Sequence, residues 1–227
     1  MRIVFFGDSI TEGCFELFDN HSGGIQIIKD IPSVYPSLIT ERLRQIFPET
    51  EIEIINAGIG GNSSADGLSR IQTDVMDKNP DITVVCFGLN DVCQRKSEMF
   101  KNNLSEIFKR LKDANIDTLF MTPNMVNTYV HHLNLPVLHK TAQSCAECQN
   151  DGTMDLFMDT ARKCAEDSGV EVCDVYAIWK KMNEYGVDTT ELLCNHINHP
   201  IRSMHKLFAD TLEPYLIKKI NKILEQN

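Results

Sequence analysis

The sequence predicts an α/β protein with one five-stranded, mainly parallel sheet and helices on both faces. Three observations predict it. Five short apolar runs are rich in β-branched and aromatic residues. Amphipathic segments with helical spacing separate them. No repeat, low-complexity tract or linker divides the 227 residues. Strands alternating with helices are the pattern of βαβ units, whose strands lie parallel. Residues 1–227 are accordingly read as a single domain.

The first run, Arg2-Ile3-Val4-Phe5-Phe6, stops abruptly at Gly7-Asp8-Ser9-Ile10-Thr11-Glu12-Gly13. A buried strand that ends in a Gly/Asp/Ser turn sets a hydroxyl at the carboxyl edge of a sheet, where open α/β sheets bind ligands. The competing reading is a strand followed by a helix cap, with Ser9 or Thr11 as the capping hydroxyl. Further strands are expected at Ile52–Asn56, Ile82–Phe87, Thr118–Met121 and Val170–Tyr176. Helices are expected at Pro36–Phe47, Asp66–Met76, Phe100–Leu111, Met154–Ala165 and Met204–Leu224. Each places apolar residues at three- and four-residue steps, as Leu104, Ile107, Phe108 and Leu111 do, which gives one buried stripe.

Two stretches break the alternation. Residues 14–32 are polar and contain His21-Ser22-Gly23-Gly24, and residues 124–152 contain His131-His132, Pro136 and Cys145-Ala146-Glu147-Cys148. Connections this long inside a domain are uncommon and usually functional. Both follow the carboxyl end of a predicted strand, so both are expected to be loops on the substrate side.

Composition excludes several classes. Hydrophobic residues make up 42% and charged residues 24%, ordinary for a globular domain. A net charge of −10 argues against a nucleic-acid partner, whose phosphates demand a basic face, and equally against an anionic membrane surface. No apolar run approaches the ~20 residues that span a bilayer. Met1-Arg2 leads directly into a strand rather than a signal peptide, so a cytoplasmic location is expected. The eight cysteines are scattered and several sit in apolar runs, which marks most of them as reduced core thiols. Cys145 and Cys148 form a single C-x-x-C near His131, His132 and His139. One such pair is a weak zinc signal, so neither a metal nor a cofactor is expected, and the two thiols are read as incidental.

Three other strand ends share the edge with Ser9. These are Asn56-Ala57-Gly58-Ile59-Gly60-Gly61-Asn62-Ser63-Ser64, then Gly88-Leu89-Asn90-Asp91, and Asn195-His196-Ile197-Asn198-His199-Pro200 before the last helix. A parallel sheet would bring together a hydroxyl, a glycine-rich turn with free N–H groups, a side-chain amide and a histidine. Acyl transfer needs that inventory: a nucleophile, a base and donors for a developing oxyanion.

In these four blocks the chain resembles the SGNH hydrolases, also called GDSL lipases/esterases. Gly7-Asp8-Ser9-Ile10 matches the first block with Ile for the usual Leu, the Gly61 turn the second, Gly88-Leu89-Asn90-Asp91 the third and His199-Pro200 the fifth. The blocks stand in the family's order and span nearly the whole chain. The resemblance implies a three-layer, flavodoxin-like fold and a serine esterase acting on a small-molecule ester. It assigns Ser9 as nucleophile, His199 as general base, and the N–H groups of Ser9 and Gly61 with the Asn90 amide as the oxyanion hole. The G-x-S-x-G elbow of the α/β-hydrolases is absent.

The fifth block departs from the family pattern. Where the family has Asp three residues before the histidine, this chain has His196. Some group must still accept the Nδ1–H of His199 to fix its tautomer. A backbone carbonyl in the 195–197 turn would make a Ser–His dyad, the preferred reading, and Asn195, Asn198 and Asp188 are the alternatives. The departure also admits a catalytically weak or inactive binding protein, and a phosphate cradle at the GDSIT turn is a more distant option. Asn62, Ser63, Asn90, Asn127 and Tyr129 suggest a polar pocket edge, with Asn62 and Asn127 as substrate-binding residues. That edge leans toward short acyl groups, such as acetate, on a polar alcohol like a sugar.

Overall fold

The computed structural model describes residues 1–22 and 24–226; Gly23 and Asn227 lie outside the described residues. In chain order the first elements are β1 (Arg2–Gly7), α1 (Ser9–Glu12), β2 (Cys14–Asp19), β3 (Ile25–Lys29) and α2 (Tyr35–Ile46). Then come β4 (Glu53–Gly58), α3 (Ser64–Asp74), β5 (Ile82–Cys86), α4 (Leu89–Val92), α5 (Ser97–Asp113) and β6 (Asp117–Met121). The last are α6 (His139–Asn150), α7 (Thr153–Ser168), β7 (Glu171–Cys173), α8 (Val175–Glu184) and α9 (Arg202–Leu224).

The expected five-stranded sheet is present. Its order is β4-β1-β5-β6-β7 and every pairing is parallel. β5 is its central strand, flanked by β1 and β6, and every residue of Ile82–Cys86 is buried. Such strands read as continuous apolar runs because both faces are covered. Successive side chains alternate between the two faces. Phe5 meets Tyr35 of α2 edge-on, whereas Phe6 meets Phe87 and lies under the Arg70 guanidinium of α3. Phe6, Val85 and Phe120 share one register line, and Phe120 packs on Phe108 of α5. One face is thus covered by α3, α5 and α7, packed side by side, and the other by α2 against α9. A buried cluster runs through both layers. Among the described residues no helix is long and apolar enough to cross a membrane.

Three expectations need correction. Residues 14–32 are not an irregular loop: β2 and β3 pair antiparallel as a hairpin, with an irregularity between Cys14 and Leu17. Residues 124–152 include the helix α6, preceded by a 3-10 turn at Pro136–Leu138. The run 170–176 is strand only over Glu171–Cys173. Asp174 then caps α8 by accepting the N–H of Ala177, and Val175 and Tyr176 belong to the first turn of that helix.

Close approach between β4 and α1 sets the geometry of the site. A Cβ at Gly58 would lie 2.2 Å from the Glu12 nitrogen and 2.6 Å from the Thr11 carbonyl carbon. Both are main-chain atoms and cannot rotate away. Gly58→Ala is expected to force the two elements apart, costing about 1–3 kcal/mol or more. Urea unfolding should show the loss as a lower midpoint with the slope unchanged.

Candidate active site

Ser9 stands two residues beyond the carboxyl end of β1 as the first residue of α1. The capping group is neither Ser9 nor Thr11. Asp8 is the N-cap, and its carboxylate accepts the N–H of Ile10 at 3.0 Å. Thr11 instead hydrogen-bonds the Tyr35 hydroxyl at 2.9 Å. The Ser9 hydroxyl is thereby left for other work, and it lies 3.1 Å from Nε2 of His199. The other ring nitrogen, Nδ1, lies 2.8 Å from the main-chain carbonyl of Phe15 on β2. A carbonyl only accepts, so Nδ1 carries the proton and Nε2 offers its lone pair to Ser9.

The acceptor is therefore a backbone carbonyl, as the dyad reading requires, but it comes from the hairpin and not from the 195–197 turn. Asn195, Asn198 and Asp188 do not take the role. The Asn195 carboxamide oxygen accepts the N–H groups of Ile197, Asn198 and His199 at 2.9–3.0 Å, while its amide donates to the Asn198 side chain. It holds the backbone that carries the histidine. Asp188 accepts from the Tyr129 hydroxyl and the N–H of Thr190. His196, at φ 51°, stacks on His131 at a centroid distance of 3.9 Å.

His199 is buried, and burial pushes its pKa below the usual histidine value, partly countered by the bond to Phe15. The ring is therefore neutral at pH 7. Burial also pushes the Asp8 carboxyl up to about 7, the N–H of Ile10 pulling the other way. Near this group lies the amide of Asn90, which donates to the Asn62 carbonyl at 2.9 Å and approaches the Asp8 carboxylate at 3.4 Å. Asp91 next to it is buried and accepts from the N–H and hydroxyl of Ser64, fastening α4 to the start of α3.

The turn after β4 is held from two sides. Glu12 accepts the N–H of Gly60 at 2.8 Å and pairs with Lys29. Arg70 donates to the carbonyls of Gly7 and Ala57 and to the Asn62 side chain, tying the ends of β1 and β4 together. Gly61 follows at φ 76°, a conformation that glycine adopts without strain, with open space where a Cβ would stand. Among the described residues the N–H groups of Ser9 and Gly61 make no hydrogen bond.

Ser9, Gly61, Asn90 and His199 line one pocket of about 480 Å³. Its wall differs from the polar edge expected. Asn127 is fully buried and donates to the carbonyls of Tyr129 and Ala142, so it holds a loop. Asn62 faces Arg70 with its side chain. Ser63 caps α3, and Tyr129 lies on a separate groove beside α6. Of the five polar residues only Asn90 lines the pocket. Leu17, Ile25, Ile27, Ile59 and Leu138 form its apolar wall instead, with Glu12, Lys29, Thr141 and Asn198 as polar points. Leu17, Ile25, Ile27 and Leu138 lie in no motif block. The alternation Ile25-Gln26-Ile27 was the available signal for the wall.

Among the described residues the C-x-x-C does not assemble with histidines. Cys145 and Cys148 are buried on α6, and His139 faces the Asn134 carbonyl. His131, Glu191 and His196 do cluster within 4.8 Å. There Nδ1 of His131 accepts the N–H of Leu133, so its Nε2 holds a proton, which it donates to Glu191 at 3.0 Å.

Comparison with known proteins bears on the family and the fold. The model of the GDSL-like lipase/acylhydrolase family matches residues 5–207. An acetylxylan esterase of Geobacillus stearothermophilus is 31% identical over 91 residues, 40% of each chain, so the match spans about two fifths of that relative. An arylesterase of Vibrio mimicus is 26% identical over 225 residues, 96% of each chain. The solved structure of the acetyl xylan esterase AlAXEase superposes with a TM-score of 0.69 at 25% identity, covering 93% of this chain and 98% of the other.

Proposed function

Because this chain belongs to the GDSL-like lipase/acylhydrolase family, we propose that it is a serine ester hydrolase acting on small carboxylic esters through an acyl-enzyme on Ser9. The observation that carries this reading is the relay from the Ser9 hydroxyl through both nitrogens of His199 to the Phe15 carbonyl, opening on a ligand-sized pocket. Nε2 of His199 takes the serine proton as Oγ attacks the ester carbonyl, then returns it to the leaving alcohol. The N–H groups of Ser9 and Gly61 and the Asn90 amide receive the developing oxyanion. Water repeats the sequence on the acyl-enzyme. The missing Asp, which motivated the reading as an inactive binder, has a substitute in Phe15.

The finer proposal is a short acyl group, acetyl foremost. The acetylxylan esterase relatives support it, as does the modest pocket. The apolar wall favours an alcohol with an apolar face, such as an aryl group or the C–H face of a sugar ring. Hydrolysis of p-nitrophenyl esters from acetate upward tests both levels. We expect kcat/KM to peak at the shortest acyl groups. No hydrolysis above the Ser9→Ala background across the whole panel would end the enzyme reading.

The pH profile is a second test. The base works neutral, and burial lowers its pKa, so kcat/KM should rise from acid pH with a midpoint below 6.5 and be flat by pH 7. A limb near pH 7 that disappears in Asp8→Asn would assign the ionisation to Asp8 instead.

A further inference from the structure

Cys93 follows α4 directly and is exposed, whereas Cys145 on α6 is buried. Their sulfurs lie 3.6 Å apart, close enough for one thiol to hydrogen-bond the other. The two residues are 52 positions apart, so the pairing is made by the fold and not by the chain. Cys148, one turn along α6, places its own sulfur 3.8 Å from the Val92 carbonyl, beside the same end of α4. The pair belongs neither to the relay nor to the pocket lining.

We propose that Cys93 and Cys145 are an oxidation site: a peroxide converts the pair reversibly to a disulfide that fastens α4 to α6. The Cys93 thiolate attacks one peroxide oxygen, giving the sulfenic acid and releasing hydroxide, which takes up a proton to leave as water. The Cys145 sulfur then displaces the sulfenic oxygen as a second water. In sum two thiols and one hydrogen peroxide give one disulfide and two waters. The sulfurs need close only from 3.6 Å to bonding distance. Roles divide by environment. The bond from the Cys145 thiol, and the Arg95 guanidinium after it, lower the Cys93 thiol to about 7, against burial. Donating that bond, and burial, raise Cys145. Cys93 is the attacking thiolate and Cys145 the resolving thiol. The bridge would join the helix that bears Asn90 to the helix that bears Thr141, two sides of one pocket.

Peptide mapping of the full chain tests this independently of any esterase activity. After a modest excess of hydrogen peroxide, then alkylation and digestion without reductant, we expect one linked peptide pair holding Cys93 and Cys145. The other six of the eight cysteines should be alkylated, and dithiothreitol should reverse the bridge. Iodoacetamide at pH 7 should label Cys93 roughly ten-fold faster than an ordinary exposed thiol. In the Cys93→Ser variant no bridge should form at the same dose. In Cys145→Ser the sulfenic acid on Cys93 should persist and react with dimedone. Cys93→Ser keeps the test decisive if the buried substitution prevents folding. Cys93 oxidised without linkage, a bridge between another pair, or no thiol loss would each overturn the proposal.

Discussion

Ser9→Ala and His199→Ala should each lower kcat for a short-chain ester by about 10⁴-fold or more, and the double variant should lose no more than the worse of the two. The two groups act as a unit. Without the hydroxyl there is no nucleophile for Nε2 to activate, and without the imidazole the serine keeps its proton. The 3.1 Å contact is the physical basis of that non-additivity. Ser9→Ala should leave stability nearly unchanged, because Asp8 and not Ser9 caps α1. Thermal unfolding beside steady-state kinetics separates the two effects. Losses that add across the double variant would mean that serine and histidine work independently, and a Ser9→Ala enzyme with normal kcat would remove Ser9 from the reaction.

Asn90→Ala should cost about 10²–10³ in kcat, roughly 3–4 kcal/mol of transition-state stabilisation, with little change in KM. The Asn90 amide has two protons. One is committed to the Asn62 carbonyl at 2.9 Å, while the contact with Asp8 at 3.4 Å is long and is the one that can yield to an oxyanion. Asn90→Asp should be at least as harmful, since it replaces a donor with an acceptor at nearly constant volume. A variant whose KM rises while kcat holds would show that Asn90 binds the ground state and does not serve the oxyanion.

The sheet was legible because buried parallel strands are apolar on both faces. Arg2–Phe6 and Ile82–Phe87 leave no other reading. The hairpin was not read because its strands are half solvated: Phe18, Ile25 and Ile27 are exposed, and the polar residues between them masked the period of two. α6 was missed for a related reason. Its buried face is built from Ala142, Cys145, Ala146, Cys148 and Gln149, small or polar residues that give little periodic signal. α8 was hidden because Val175 and Tyr176 look like strand, and only the capping bond from Asp174 shows that the chain has already turned. At the site, Ser9, Gly61, Asn90 and His199 could be named because each is a side chain or a glycine in a block. The acceptor of the histidine proton could not. It is a main-chain carbonyl 184 positions away, and the side chain attached to it is a core phenylalanine.

That carbonyl has a consequence for how the site can change. A carboxylate can be lost by a single substitution or switched off by protonation, but a peptide oxygen can be neither mutated away nor titrated. The anchor of His199 is thus insensitive to residue replacement and sensitive only to where the strand runs. The same hairpin supplies Leu17, Ile25 and Ile27 to the pocket wall. Residue swaps on it can reshape what the pocket admits while the base keeps its tautomer, whereas insertions or deletions that shift β2 would disturb admission and proton transfer together.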